Sequence, residues 1–166
     1  GNTTINAGTL AYGVDNAIYT GAVYVSGGTL ALGGHTDTVS GLRFFPGSTY
    51  RVQLTDDSFD QMNITGSVVL GNANLNLTST RPDISGDLLV LIQNDGIDSI
   101  TGTFLNLTEG AEVNAGPATY LITYCYNAEA GELGTGNDVA LINCRPASPS
   151  DLAATPASDT QINLSW

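Results

Sequence analysis

Apolar residues recur at a fixed spacing along the first 80 residues of the chain. The segments "INAGTLAY" (5–12), "VSGGTLAL" (25–32) and "FPGSTYRV" (45–52) follow one another at an offset of 20 residues. A fourth segment, "LGNANLNL" (70–77), follows at an offset of 25. Each segment ends in two large apolar residues one position apart, as in Leu30-x-Leu32, which is the period of a β-strand with one buried face.

The repeat places like residues in columns: Ile5, Val25, Phe45 and Leu70; Leu10, Leu30 and Tyr50; and Thr9, Thr29 and Thr49. The five extra residues of the last interval fall in the polar stretch "TDDSFDQ" (55–61), which predicts a loop. A period near 20 with short strands and glycine corners is typical of a stacked β-solenoid. At ~3.3 Å per residue one turn has a perimeter of roughly 60 Å. An antiparallel β-sandwich of hairpins, turning at "SGG" and "GNA", is the alternative.

The period ends after residue 80, and turn residues then separate longer apolar runs. We expect these runs to be antiparallel strands, so that residues 81–144 cap the repeats of residues 1–80. A solenoid needs such a cap because its last turn otherwise exposes an apolar face and unpaired strand edges. The predicted strands are 86–96, 99–107, 118–126 and 137–142.

Composition narrows the class of protein. Only 12% of residues are charged, there is no lysine, and 16 carboxylates against four arginines give a net charge of −12. This charge argues against nucleic acid or an anionic membrane as a partner. No apolar run approaches the ~20 residues that a membrane helix needs. A surface of Thr, Asn, Gly and Ser around β-forming residues is typical of secreted all-β modules.

The two cysteines flank the glycine-containing segment "NAEAGELGTGND" (127–138). If 120–126 and 139–143 are antiparallel neighbours, the sulfurs of Cys125 and Cys144 could meet across the sheet. We therefore predict a disulfide and an oxidising compartment, with two buried thiols as the alternative. The chain has no CxxC spacing, so zinc is not expected.

Catalytic chemistry has one candidate group of carboxylates, formed by Asp56, Asp57 and Asp60 in the polar insertion. A glycosidase needs two carboxylates about 5 to 10 Å apart, one of them with a raised pKa. Nothing apolar surrounds these three in the sequence, so we interpret them as a solvated loop and expect no enzyme.

Calcium is the one cofactor for which the sequence offers ligands. Asp95 and Asp98 in "NDGIDS", with Asp138 in "GTGND", carry oxygen ligands in glycine-containing turns. The spacing matches neither an EF-hand loop nor the nonapeptide of calcium-binding β-rolls. Asn and Asp residues that form turns by bonding their own backbone are the alternative explanation.

Five Asn-x-Ser/Thr sequons occur in a chain rich in Asn and Thr. Many such matches arise by chance, so they bear only weakly on glycosylation. Asn76 and Asn106, which we place at outward positions of strands, are the two predicted acceptor sites.

Several of these stretches carry a family resemblance. The "SGGTLAL" repeat, "FDQMNITGSVVLGNANLNL" (59–77), "NDGIDSITGTFLNLTEG" (94–110) and "GNDVALI" (136–142) resemble the autotransporter-type β-strand repeat region of bacterial surface proteins. The resemblance spans about residues 1 to 143. It implies a right-handed parallel β-helix that serves as a passenger stalk or spacer on the cell surface. The two cysteines depart from the family pattern.

The end of the chain resembles a second family. After "PASPS", a Pro/Ser linker that we assign to residues 145–151, "DLAATPASDTQINLSW" looks like the start of a fibronectin type III domain, over residues 152–166. That resemblance implies a first strand near 152–155 and a second ending at Trp166 in a sandwich core. A lone pair of strands cannot bury that tryptophan. We therefore expect the chain to be cut inside this second domain.

Together these patterns predict a non-catalytic extracellular module, a stalk, spacer or adhesin segment of a large surface protein. One alternative is a filament subunit in which Ile162, Leu164 and Trp166 are donated to the sheet edge of a neighbouring copy. Another is an accessory segment of a secreted carbohydrate-active enzyme. The expected partners are neighbouring domains or copies that pair through β edges, and a carbohydrate or host-surface ligand, with no insertion into a membrane.

Overall fold

The computed structural model describes residues 1–18 and 21–144, and the backbone of residues 153–158 and 161–165. These residues form an all-β fold in which no helix occurs. The strands are β1 (Thr3–Ile5), β2 (Thr9–Ala11), β3 (Ala22–Val25), β4 (Thr29–Ala31), β5 (Thr36–Val39), β6 (Gly41–Phe44), β7 (Thr49–Leu54), β8 (Gln61–Ile64), β9 (Val68–Val69), β10 (Asn74–Ser79), β11 (Leu88–Asn94), β12 (Glu112–Ala115), β13 (Ala118–Asn127), β14 (Glu132–Leu133), β15 (Asp138–Ile142), β16 (Ala153–Ser158) and β17 (Gln161–Ser165).

The strands form three larger sheets. From β3 to β11, successive strands belong to the first, second and third sheet in a repeating order. The first sheet has the order β1-β3-β6-β9 and the second β10-β7-β4-β2, and all pairs in both are parallel. The third has the order β12-β13-β15-β11-β8-β5 and is mixed, with β14 beside β13. Strands β16 and β17 form a separate two-stranded antiparallel sheet.

The pairing register of the second sheet reproduces the repeat seen in the sequence. Thr9 pairs with Thr29 and Thr29 with Thr49, while Thr49 pairs with Asn74 across the longer interval. Beside them Leu30 and Tyr50 are adjacent in the register and fully buried. The predicted alignment of these columns, including the offset of the fourth copy, is confirmed.

The predicted column of Ile5, Val25, Phe45 and Leu70 is wrong at its third member. Val25 pairs with Phe44, not with Phe45, because the first sheet advances by one residue fewer at this point than the second. Phe44 is buried at 1% exposure, whereas Phe45 is half-buried and the Arg43 guanidinium lies 4.9 Å from its ring centroid. A shift of one residue moves a side chain to the opposite face of a strand.

The second half extends the third sheet with antiparallel strands, as we expected for residues 81–144. Strand β11 pairs in parallel with β8 on one side and antiparallel with β15 on the other. Strand β13 pairs antiparallel with β15 and β12. The prediction of a strand over 99–107 is wrong, because this segment is a series of turns with a single bridge from Thr101 to Val69.

An aromatic cluster inside the fold explains why segment 99–107 turns inward. The Phe104 ring is fully buried, with its centroid 6.3 Å from those of Phe44 and Tyr50. The Tyr124 ring follows at 6.5 Å, and its hydroxyl donates to the carbonyl of Leu107 at 2.8 Å. Buried aromatic side chains contribute a large part of the apolar area of a core. The cluster therefore joins the repeats to the strands that follow them.

Candidate functional site

Aspartate side chains fasten neighbouring repeats at one corner of the fold. The carboxylate of Asp37 is fully buried and accepts a hydrogen bond from the Ile18 amide at 2.9 Å. The carboxylate of Asp60 is also fully buried, and it accepts from the backbone amides of Gly34 and Gln53, the latter at 3.1 Å. The bonds from Ile18 and Gly34 cross from one repeat to the next, whereas the bond from Gln53 lies within the turn before β8. Backbone donors thus compensate both buried carboxyl groups.

Asp15, which is exposed, makes a similar connection. Its Oδ1 accepts from the Thr36 amide and lies 3.0 Å from His35 Nδ1. The Thr36 amide and His35 together lower the pKa of this carboxyl. Burial has the opposite effect on Asp60, whose pKa is raised although several backbone amides oppose the shift. The three aspartates therefore stabilise this corner by bonding backbone amides of the neighbouring repeat.

The group Asp56, Asp57 and Asp60 does not converge. Asp56 and Asp57 are exposed, whereas the Asp60 carboxylate accepts from the amide of Gly34 in the previous repeat and from that of Gln53 in its own. The interpretation as a solvated loop is therefore wrong for Asp60, because this residue closes the turn and immediately precedes β8. Asp60 also lines a cavity of about 180 Å³ on the second sheet. The other residues lining that cavity are Ala11, Ala31, Gly33, Arg51, Gln53 and Thr78.

The three aspartates predicted to bind calcium lie at one end of the third sheet but do not point to a common centre. Asp95 and Asp98 are exposed. Asp138 is fully buried, and its two carboxylate oxygens accept from the amides of Asn94 and Ala128, both at 2.7 Å. Burial raises the pKa of Asp138. Among residues 1–18 and 21–144 no group of three His, Cys, Asp or Glu side chains is placed to hold a metal ion.

The same end of the sheet contains a cavity of about 280 Å³, which sequence reasoning missed. It lies between the turn after β11 and the loops on either side of β14. Asn137 Nδ2 donates to the Asp98 carbonyl at 2.8 Å, and Asn94 Nδ2 reaches the same oxygen at 2.5 Å. The lining residues are Gly96, Ile97, Ser99, Asn127, Glu129, Thr135, Gly136 and Asn137.

The predicted disulfide is wrong: Cys125 and Cys144 are both free and exposed, so the buried-thiol alternative fails as well. Cys125 lies in β13 and Cys144 lies two residues after the antiparallel neighbour β15, in which Ile142 pairs with Leu121. Continuing that register places Cys144 beside Thr119, six residues from Cys125 along β13. Six residues of strand span ~20 Å, far beyond the ~7 Å limit between the Cα atoms of a disulfide.

Both predicted glycosylation sites are exposed, but only one lies in a strand. Asn76 is at an outward position of β10. Asn106 occupies a turn with φ of 58°, so its assignment to a strand is wrong. The left-handed region is one that Asn tolerates better than most residues, which agrees with a turn at this point.

The residues predicted for strand donation lie near the end of the chain. Ile162 and Leu164 belong to β17, which pairs antiparallel with β16, so this segment has a partner within its own chain. Trp166 and the linker 145–151 lie outside the described residues. The hairpin is consistent with two strands at 152–166, the region expected to begin a fibronectin type III domain.

Sequence reasoning also missed an ion pair at the junction of the two halves. Arg81 donates through Nε and Nη2 to both carboxylate oxygens of Asp87, at 2.6 and 2.9 Å. Its Nη1 also donates to the carbonyls of Thr55 and Asp56. Tyr120 of β13 donates its hydroxyl to the same Asp87 at 3.2 Å. The guanidinium thus connects the turn after β7 to the segment before β11, and Asp87 connects that segment to strand β13.

Comparison of the chain with protein-family models, with curated proteins and with solved structures finds no match. Within the part of the chain that the structure describes, no helix is long and apolar enough to cross a membrane.

Proposed function

We propose that residues 1–144 are a non-catalytic structural module, a stalk or spacer of a large extracellular surface protein, built as a right-handed parallel β-helix. The observation that carries this proposal is the in-register parallel stacking of successive repeats, with Thr9, Thr29 and Thr49 aligned across three strands. Stacked repeats contact only their neighbours, so such a module gains length by adding repeats.

The side chains of the repeats support a structural role. The inward positions of the stacked strands are apolar, and the aspartates at the corner bond backbone amides of adjacent repeats. Asp60 is the buried carboxylate of the group considered for catalysis, and its oxygens are engaged by Gly34 and Gln53. Its raised pKa follows from burial in the corner.

A repeat duplication tests the stacked architecture. A second copy of residues 29–48 inserted after residue 48 should fold and add one repeat, lengthening the module by ~4.8 Å, the spacing of neighbouring strands. Small-angle scattering measures the length, and thermal unfolding shows whether the variant folds. An insert of the same composition in scrambled order is the control. If the duplicated variant unfolds as readily as the scrambled one, the stacked β-helix is excluded.

The location needs a separate test in cells that produce the full-length protein. An antibody against residues 1–144 should label intact cells, and external protease should remove the label. Labelling that appears only after the cells are opened would overturn the extracellular assignment while leaving the fold unaffected.

A further inference from the structure

The outer face of the third sheet carries a row of large aliphatic side chains. The row on the inner face pairs across β11, β15 and β13 and is buried in the core: Leu89, Leu141 and Ile122. Successive residues of a strand point to opposite faces, so the adjacent row of Leu88, Ile142 and Leu121 points outward. Val90 lies on the same face, two residues from Leu88. We name these four half-buried residues, Leu88, Val90, Leu121 and Ile142, the outer patch.

Outward positions of neighbouring strands are polar, in contrast to the outer patch. Thr29 and Thr49 are outward in the second sheet, and β8 of the third sheet has Gln61 and Asn63 at its outward positions. A sheet with one face in water alternates apolar and polar residues, whereas strands covered on both faces are apolar throughout. The sequences "LLVLI" in β11 and "VALI" in β15 follow the second pattern. This indicates that a further element covers the outer patch.

The hairpin of β16 and β17 needs an apolar surface of this kind. It forms a separate two-stranded sheet, and an isolated hairpin is marginally stable in water unless it packs against further structure. In the sequence of β17, Ile162 and Leu164 alternate with polar residues, which is the period of a strand with one apolar face. Strand β15 ends at Ile142, within the outer patch, and β16 begins at Ala153. The connection between them spans at most about 35 Å, so the hairpin is held near the outer patch at a high effective concentration.

A second copy of the chain fits the outer patch less well than the hairpin does. A stable interface between separate proteins buries about 800 Å² on each partner, and four half-buried side chains offer much less. The net charge of −12 also opposes self-association. A tethered hairpin needs a smaller contact, because the connecting residues have already brought it close.

We propose that the hairpin β16–β17 packs on the outer patch, as one sheet packs face to face on another at a spacing of about 10 Å. The contact removes the four aliphatic side chains from water and gives the hairpin the apolar support that two strands alone lack. It also holds the hairpin in a fixed orientation relative to residues 1–144. The module and the segment that follows it then behave as one rigid body.

Hydrogen exchange of the whole chain, followed by mass spectrometry, tests this contact. Peptides covering β16 and β17 should exchange slowly in the wild type, and Val90→Asp should speed their exchange by at least about tenfold, because the contact would bury an unpaired charge. Val69→Asp is the matched control, since Val69 is a half-buried valine of β9 in the first sheet. Peptides from β7 and β13 show in the same experiment whether each variant is folded. If Val90→Asp unfolds the third sheet, Val90→Thr keeps the shape of the side chain and should speed hairpin exchange to a smaller extent.

Three results would overturn the proposal. The first is fast exchange of the hairpin in the wild type, as expected of two strands without support. The second is hairpin exchange that the folded Val90 variants leave unchanged, or that Val69→Asp changes equally. The third is hairpin exchange that becomes slower as the protein concentration rises, which would mean that a second copy supplies the contact.

Discussion

Arg81 and Asp87 form a bidentate ion pair, in which Nε and Nη2 of the guanidinium donate to the two carboxylate oxygens at 2.6 and 2.9 Å. Their side chains are only 16% and 10% exposed, and the Asp87 side chain raises the pKa of Arg81. The guanidinium also bonds two carbonyls of the turn after β7. This one side chain therefore holds the repeats against the strands that follow them.

Replacement of Arg81 by alanine should lower the free energy of unfolding by about 3 kcal/mol, because it leaves the largely buried Asp87 carboxylate without its cationic partner. Arg81→Lys should recover part of this loss, since lysine keeps the charge but cannot reproduce the planar fork. Chemical denaturation measures both. Arg51→Ala is the matched control, because Arg51 is exposed on β7 and should change stability by less than about 0.5 kcal/mol. Equal effects at the two arginines would contradict the bracing role of Arg81.

Asp60 should make the free energy of unfolding depend on pH, and its raised pKa sets the direction of that dependence. Burial raises its pKa in the folded chain, so the folded state holds the proton more tightly than the unfolded state. Its contribution is complete below the unfolded pKa of about 3.9 and is lost as pH rises through the higher folded value. Asp60→Asn removes this titration. The advantage of the wild type over the variant should therefore shrink as the pH rises above about 4, by at most ~1.4 kcal/mol per pH unit.

Denaturation curves at several pH values measure this difference directly. Asp57→Asn is the control, because Asp57 is an exposed aspartate of the same turn. An advantage of wild type over Asp60→Asn that grows with pH would mean that the backbone amides outweigh burial at this carboxyl.

The two thiols should behave as independent surface groups. Cys125 and Cys144 are free and exposed, and the register keeps them apart. We expect both to react with a thiol reagent in the folded protein, and Cys125→Ser or Cys144→Ser to change stability by less than about 0.5 kcal/mol. Loss of a native disulfide would instead cost about 2–5 kcal/mol. Mass spectrometry after native alkylation counts the thiols, and finding neither cysteine alkylated would contradict the structure.

The repeat could be predicted because identical residues recur at the spacing of one full turn. Thr9, Thr29 and Thr49 mark that spacing without reference to any partner strand. The assignment of Phe44 and Phe45 could not be made in the same way. Either of the two adjacent phenylalanines satisfies the repeat. Which one is buried opposite Val25 depends on how many residues the preceding corner contains.

The site residues were less predictable because their roles depend on contacts distant in sequence. In the sequence Asp60 belongs to an acidic stretch that predicts a loop, yet its carboxylate accepts a hydrogen bond from the amide of Gly34 in the previous repeat. Asn94 has the sequence context of a turn residue, yet it is the fully buried last residue of β11. The sequence signal for Asp60 was its place directly before the alternating run of β8, which could have indicated an inward position.

Phe104 is fully buried although its segment is not a strand, and truncation of its side chain should destabilise the folded state. It lies in the turn segment that we had predicted to be a strand, and its ring is within 6.5 Å, centroid to centroid, of three other aromatic rings. Phe104→Ala should lower the free energy of unfolding by about 3–5 kcal/mol, the sum of lost burial and the cavity left behind. Leu105→Ala is the neighbouring control, since Leu105 is 45% exposed and should cost much less. If denaturation shows equal losses at the two positions, segment 99–107 does not fold inward on the aromatic cluster.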